Sequence, residues 1–130
     1  IQCQPSGSVI SLAAAPNGNV YAAFSSVSGG QAGIYRSVNY GVNWELIGLA
    51  NLDYFTLKIN SAGHIYAGGF YGAGLYRSTN YGVNWYQVQN GLYNRMVTTI
   101  NFDNSGYGYA GTYYGGLYKT NISTIGINVI

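Results

Sequence analysis

The sequence predicts an all-β fold, namely a β-propeller-type array of about three four-stranded antiparallel blades. Similar segments recur about every 40 residues: Ile34 and Leu75 are 41 positions apart, and Leu75 and Leu117 are 42 apart. Apolar residues in these segments alternate with a period of two, which indicates strands and not helices. Only 6% of the 130 residues are charged, whereas 20 are glycine and 15 are tyrosine, as expected for short strands joined by tight turns. Repeats of this length with about four strands each are typical of propeller blades.

Each repeat unit contains the same succession of predicted strands. An apolar alternating segment forms strand A, and a turn with glycine leads to strand B, which carries a Tyr-Ala pair in all three units. A Gly-Ile/Leu-Tyr segment then starts strand C, and strand D follows, with a tryptophan near its start in the first two units. The predicted ranges are Val9–Ala14, Phe55–Ile59 and Val97–Phe102 for strand A, Asn19–Phe24, His64–Gly69 and Tyr107–Thr112 for strand B, Gly33–Ser37, Gly74–Ser78 and Gly116–Thr120 for strand C, and Asn43–Ile47 and Asn84–Val88 for strand D.

The units divide a single domain, residues 1–130, into an orphan outer strand at 1–8, blades at 9–50 and 51–92, and a degenerate third blade at 93–130. Residues 1–4 have the phase of a strand D, and 121–130 have the spacing of a hairpin without its signature residues. Natural propellers have about 4–8 blades. We therefore expect either a piece of a longer propeller or copies that associate, with two copies supplying six blades and covering the free strand edge.

The connection between strands C and D is nearly identical in the first two units, SVNYGVNW at 37–44 and STNYGVNW at 78–85. We call each of these two segments a latch. Serine and asparagine oxygens can accept backbone N–H groups in such a turn, glycine tolerates positive φ, and tryptophan buries a large apolar face. The predicted latch residues are Ser37, Asn39, Gly41 and Trp44 in the first unit and Ser78, Asn80, Gly82 and Trp85 in the second.

The two latches resemble the Asp-box (BNR) repeat of β-propellers, Ser-x-Asp-x-Gly-x-x-Trp, with Asn39 and Asn80 in place of the aspartate. Families with such repeats include sialidases, xyloglucanase-type glycoside hydrolases, sortilin-type receptors and secreted bacterial repeat proteins. The resemblance implies a propeller fold and a bacterial protein that is extracellular or at the cell surface. It implies little about activity, because function depends on sites and not on the fold.

The sequence predicts no catalytic or metal site. Glycoside cleavage needs two carboxylates about 5–10 Å apart, but Glu45, Asp53 and Asp103 fall on an outer strand, in a loop and in a turn. Cys3 is the only cysteine and His64 the only histidine, so we expect neither a metal nor another cofactor. The chain is therefore predicted not to be an enzyme, unless catalytic residues lie outside it.

The five basic residues are scattered, and this excludes the basic stripe of a nucleic-acid-binding protein. Arg36 and Arg77 occupy equivalent positions in neighbouring blades and are expected to diverge. No apolar run approaches the roughly 18 residues of a membrane-spanning helix. Nucleic acid and membrane insertion are therefore not expected.

The loops between strands B and C are the best candidates for a ligand site, because they carry Phe70, Tyr71, Tyr113 and Tyr114 at equivalent positions. Flat aromatic faces beside amide groups suit sugar rings and also protein interfaces. Packing between blades and self-assembly remain alternatives for these residues. The sequence thus favours a non-catalytic recognition or scaffold module that binds glycans. A fragment of a larger glycoside hydrolase and a structural subunit of an extracellular assembly are the alternatives.

Overall fold

The computed structural model describes residues 7–26, 30–70, 73–88 and 96–120. Regular structure in these residues consists of eleven β-strands, which confirms the all-β prediction. The strands are β1 Ser8–Ala14, β2 Val20–Ser25, β3 Gly33–Ser37, β4 Glu45–Gly48, β5 Tyr54–Ile59, β6 Ile65–Gly69, β7 Leu75–Ser78, β8 Tyr86–Val88, β9 Met96–Phe102, β10 Gly108–Tyr113 and β11 Gly116–Lys119.

The strands form three antiparallel sheets in which each strand pairs with its neighbour in sequence. We call them blade 1 (β1–β4), blade 2 (β5–β8) and blade 3 (β9–β11). The predicted fourth strand of the third blade falls in 121–130, and the orphan outer strand falls mostly in 1–6, so both lie outside the described residues. Ser8, predicted to belong to the orphan strand, instead starts β1, where it pairs with Ser25.

Strands B and D begin later than predicted, because side chains in the preceding turns capture the N–H groups of their first residues. The backbone N–H of His64 donates to Asn60 Oδ1 at 2.9 Å, so β6 begins at Ile65. Likewise, Asn43 N–H donates to Asn39 Oδ1 at 2.8 Å, and β4 begins at Glu45. An N–H that is bonded inside a turn cannot join the ladder of the sheet.

All three A strands contain an irregularity of register at the same place. The shift falls between Val9 and Ser11 in β1 and between Tyr54 and Thr56 in β5. In blade 3 it lies beside Thr112 of β10, opposite β9. A bulge of this kind bends and twists a strand, and here it recurs in every blade.

The core lies between the blades. One cluster joins blades 1 and 2 through Tyr21, Ala23, Ile34, Tyr54 and Leu57, and a second joins blades 2 and 3. Each blade thus has a leading face, which points to the next blade in sequence, and a trailing face, which points to the previous one. The A–B turns and the latches lie at one end of the blades, the latch end, and the B–C loops lie at the other, the loop end.

Candidate functional site

The two latches have the same hydrogen bonds. Ser37 Oγ accepts from Gly41 N–H at 2.8 Å and donates to Asn39 Oδ1 at 3.1 Å, and Asn39 Oδ1 also accepts from Asn43 N–H. The second latch repeats each bond to within 0.1 Å. Gly41 and Gly82 have φ of 85° and 86°, as the turn requires. The preceding tyrosines also have positive φ, which the sequence did not reveal.

The second latch also contacts the neighbouring blade. The Trp85 indole lies against Gly48 of β4, where an added methyl group would be 2.8 Å from the indole nitrogen. A methyl group on Gly82 would collide with Ile47, and the Tyr21 hydroxyl donates to the Tyr81 carbonyl at 3.2 Å. The latch of blade 2 therefore holds its own turn and packs on the outer strand of blade 1.

The two tryptophans occupy the same position in their latches, but their indole N–H groups differ in hydrogen bonding. The Trp44 indole N–H donates to the Gly41 carbonyl at 3.0 Å. The Trp85 N–H has no partner within the described part of the chain, and its ring packs against the core between blades 1 and 2. Packing on a neighbour therefore replaces a hydrogen bond at Trp85.

The two arginines lie on the leading faces of different blades, as expected. Arg36 forms an ion pair with Glu45, the residue opposite it on the next strand. Arg77 faces Tyr86 instead, and its guanidinium carbon lies 5.9 Å from the centre of the Tyr66 ring. Arg77 is only 7% exposed, and its Nε and Nη2 have no hydrogen-bond partner among the residues that the structure describes.

A groove of about 360 Å³ lies at the latch end, between the A–B turns of blades 2 and 3. Its polar wall includes Asn60, Asn101 and Asp103. Oxygens of this wall are occupied by their own turns: Asn60 Oδ1 accepts from Ala62 N–H and His64 N–H, and Asp103 Oδ1 accepts from two backbone N–H groups. The groove therefore offers a ligand fewer acceptors than its composition suggests.

Two titratable side chains lie beside these turns. The slight burial of the Asp103 carboxyl would raise its pKa, but hydrogen bonds from Tyr107 N–H and the Tyr109 hydroxyl are among the contacts that hold the pKa below its usual value. Burial and then the charge of Arg77 lower the pKa of His64. The Asp103 side chain thus supports the start of β10, and within the described residues no three metal-binding side chains come together.

Of the three acidic side chains, Asp53 alone lies at the loop end. Asp53 accepts from Ser26 N–H at 3.0 Å and from the Ser26 hydroxyl at 3.2–3.3 Å, and its backbone carbonyl accepts from Phe70 N–H at 3.2 Å. Ala73 N–H and Gly74 N–H both donate to the Phe70 carbonyl. Asp53 thus ties the B–C loop of blade 1 to that of blade 2 and holds the Phe70 backbone in place.

Three of the four aromatic residues predicted for the loop end fall in the described residues, and all three are exposed. Phe70 is 43% exposed and Tyr114 87%, and Tyr113 is also exposed. The rings of Tyr113 and Tyr114 meet edge to face, with centroids 4.2 Å apart. Tyr114 has a φ of 63°, a costly conformation for a residue other than glycine. Tyr71, the fourth predicted residue, lies outside the described residues.

The sequence pattern grouped the aromatic residues but did not reveal the contact between Asp53 and Ser26. The two residues are 27 positions apart in the chain, and they meet because a D–A connection and a B–C loop share one end of adjacent blades. The structure also shows where the three candidate carboxylates for glycoside cleavage lie. Glu45 and Asp103 lie towards the latch end, whereas Asp53 lies at the loop end, and Glu45 is paired with Arg36.

The chain is similar to several solved structures, including the following three. YCF48 bound to a D1 peptide gives a TM-score of 0.67 at 14% identity, with 92% of this chain and 38% of that chain covered. A GH74 enzyme of Niastella koreensis gives 0.64 at 22% identity, with coverage of 85% and 21%. PorZ, an essential surface component of the type-IX secretion system of Porphyromonas gingivalis, gives 0.63 at 16% identity, with coverage of 90% and 18%.

These neighbours are β-propeller proteins and show the fold alone. No protein-family model matches the chain, and no curated protein matches it. The chain spans less than two fifths of each of the three solved structures. It is a partial propeller, which needs further chain or a partner to close. In the part of the chain that the structure describes, no helix could cross a membrane.

Proposed function

We propose that the chain is a non-catalytic recognition module of a bacterial extracellular or cell-surface protein, and that it binds neutral sugars at the loop end. One observation carries the proposal: exposed Phe70, Tyr113 and Tyr114 lie at the same end of adjacent blades, the end at which Asp53 binds Ser26 and the Phe70 backbone. Sugar rings present apolar C–H faces and hydroxyl groups. Aromatic side chains supply the surface for the first, and a carboxylate accepts from the second.

The Asp53 carboxylate has acceptor capacity to spare. A carboxylate offers about four lone-pair sites, and in the described residues only the Ser26 N–H and hydroxyl donate to it. The N–H groups of Ser26 and Phe70 hold Asp53 in place, so that binding costs little conformational entropy at this residue. A pair of vicinal hydroxyls would fit such an acceptor.

A second candidate is a fragment of a larger glycoside hydrolase, which the similarity to the GH74 enzyme favours. In that case this chain would supply sugar-binding blades, and the carboxylates for catalysis would lie elsewhere. The acids of this chain support that division of roles, since Glu45 and Asp103 are held in structural contacts away from Asp53. The third candidate, a structural subunit, would leave the loop end without a ligand.

The test is a glycan array followed by titration calorimetry of the hits. Tyr114→Ala and Phe70→Ala are each expected to weaken binding roughly tenfold, because each removes an aromatic surface from the ligand. Asp53→Asn keeps the shape but replaces one acceptor oxygen by a donor, and is expected to weaken binding as well.

Tyr40→Ala is the matched control. Tyr40 is 94% exposed and has a φ of 59°, close to the 87% and 63° of Tyr114, but it lies at the latch end. It should bind like the unchanged protein. Equal losses for Tyr40→Ala and Tyr114→Ala, or an array without any hit, would contradict a sugar site at the loop end.

A further inference from the structure

On the trailing face of blade 1, apolar side chains are exposed at positions where the equivalent side chains of blades 2 and 3 are buried. Leu12 is 62% exposed, whereas its equivalents Leu57 and Ile100 are 0% and 3% exposed. Val9 is also exposed, but Tyr54 and Val97 at the same position are buried. In blades 2 and 3 these side chains pack on the preceding blade. Blade 1 thus presents a surface of the same kind with nothing from the described residues against it.

The leading face of blade 3 shows the complementary pattern. Leu117 is 73% exposed, whereas Ile34 and Leu75, which occupy the same position of strand C in blades 1 and 2, are 0% and 6% exposed. Lys119 occupies the position of Arg77, which is buried beneath the next blade. A cation at this position is therefore compatible with a covering blade.

The molecule already contains two examples of how such faces meet. In blade 2, Gly68 leaves room for Val97 of blade 3, since a methyl group on Gly68 would lie 2.6 Å from Val97 Cγ1. Blade 3 has glycine at the same position, Gly111, between Thr99 and Leu117. Val9 is the equivalent of Val97, so the trailing face of another blade 1 fits this leading face by the contacts that blades 2 and 3 make.

We infer that the leading face of blade 3 binds the trailing face of blade 1 of a second copy of this chain, and that the two copies close a ring of six blades. One copy carries both halves of the missing contact, so two copies satisfy both free faces at once. Six blades lie within the range of about 4–8 found in propellers. Each of the two contacts joins different faces of the partners, and the pair closes only when the two copies are related by a two-fold rotation. The small charge of the chain, +2, opposes association only weakly.

The test is the mass in solution by light scattering and sedimentation over a wide range of concentrations. The expected mass is that of two 13.9 kDa chains. Leu117→Asp and Leu12→Asp, one on each face, should each weaken the dimer roughly 10- to 100-fold, because a buried leucine is lost and a charge is placed in the contact. Both leucines are exposed within one chain, and circular dichroism should show that both variants remain folded. Val83→Asp is the control: Val83 is equally exposed, at 69%, but lies on the latch of blade 2.

Mixing the two variants distinguishes this arrangement from one in which a face binds the same face of the partner. Leu12→Asp keeps the blade 3 face intact, and Leu117→Asp keeps the blade 1 face intact. An equimolar mixture should therefore form a dimer at concentrations at which neither variant dimerises alone. One of its two contacts is intact, so it should be weaker than the original dimer. A mass that stays at one chain, a mass that grows without limit, or a mixture that stays monomeric would overturn the closed pair.

Discussion

Removing one hydroxyl from a latch tests whether the repeated turn is a source of stability. Ser78 is fully buried, and its Oγ accepts from Gly82 N–H at 2.8 Å and donates to Asn80 Oδ1 at 3.1 Å. Ser78→Ala leaves the Gly82 N–H, which is buried, without its acceptor. Asn80 Oδ1 loses one donor but keeps the N–H of Asn84.

The cost follows from these bonds. A buried N–H without a partner costs about 1–3 kcal/mol, and the remaining contacts of Asn80 limit further loss. We therefore expect Ser78→Ala to lower the free energy of unfolding by about 2 kcal/mol. For a domain of this size the midpoint of thermal unfolding should fall by roughly 6–10 °C.

Urea unfolding followed by circular dichroism measures this change, and calorimetry gives the thermal midpoint. Ser61→Ala, in an exposed turn, is the control and should stay within about 0.5 kcal/mol of the unchanged protein. Ser37→Ala removes the same bonds from the first latch and should cost a similar amount. A loss below about 0.5 kcal/mol for Ser78→Ala would refute the role that we assign to the turn, and a large loss at Ser78 alone would assign it to contacts with blade 1.

Two further changes test the charges on blade 2. Tyr86→Glu places a carboxylate opposite Arg77, as Glu45 lies opposite its arginine in blade 1; it should be more stable in urea than Tyr86→Gln by roughly 1 kcal/mol, and an advantage that persists in 1 M salt would speak against an ion pair. His64 has a lowered pKa, so stability should be full above about pH 7 and fall as the pH drops through about 6.5 towards the folded pKa. His64→Asn, which introduces the residue that blade 1 has at the same position, Asn19, should flatten this pH profile of urea midpoints, and an unchanged slope would contradict the assignment.

The sequence predicted the number and order of strands in the described residues because both depend on local signals. Alternation with period two and a repeat of 41–42 residues do not require knowledge of the neighbours of a strand. The prediction erred at the first residues of strands B and D. There the competing acceptor is a side chain a few positions away, such as Asn39 or Asn60, and this competition is visible only once the turn has formed.

What the sequence determined by itself was the repeating unit: the strand order, the repeated latch segments and the aromatic residues of the B–C loops all follow from short-range patterns. Only the tertiary structure decided how the units differ. Arg36 and Arg77 occupy the same place in the repeat, yet one is paired and the other is stacked. Leu12 and Leu57 are likewise equivalent in sequence, but only Leu57 is covered. Burial and pairing depend on the adjacent blade, and no pattern within one repeat records whether that blade is present.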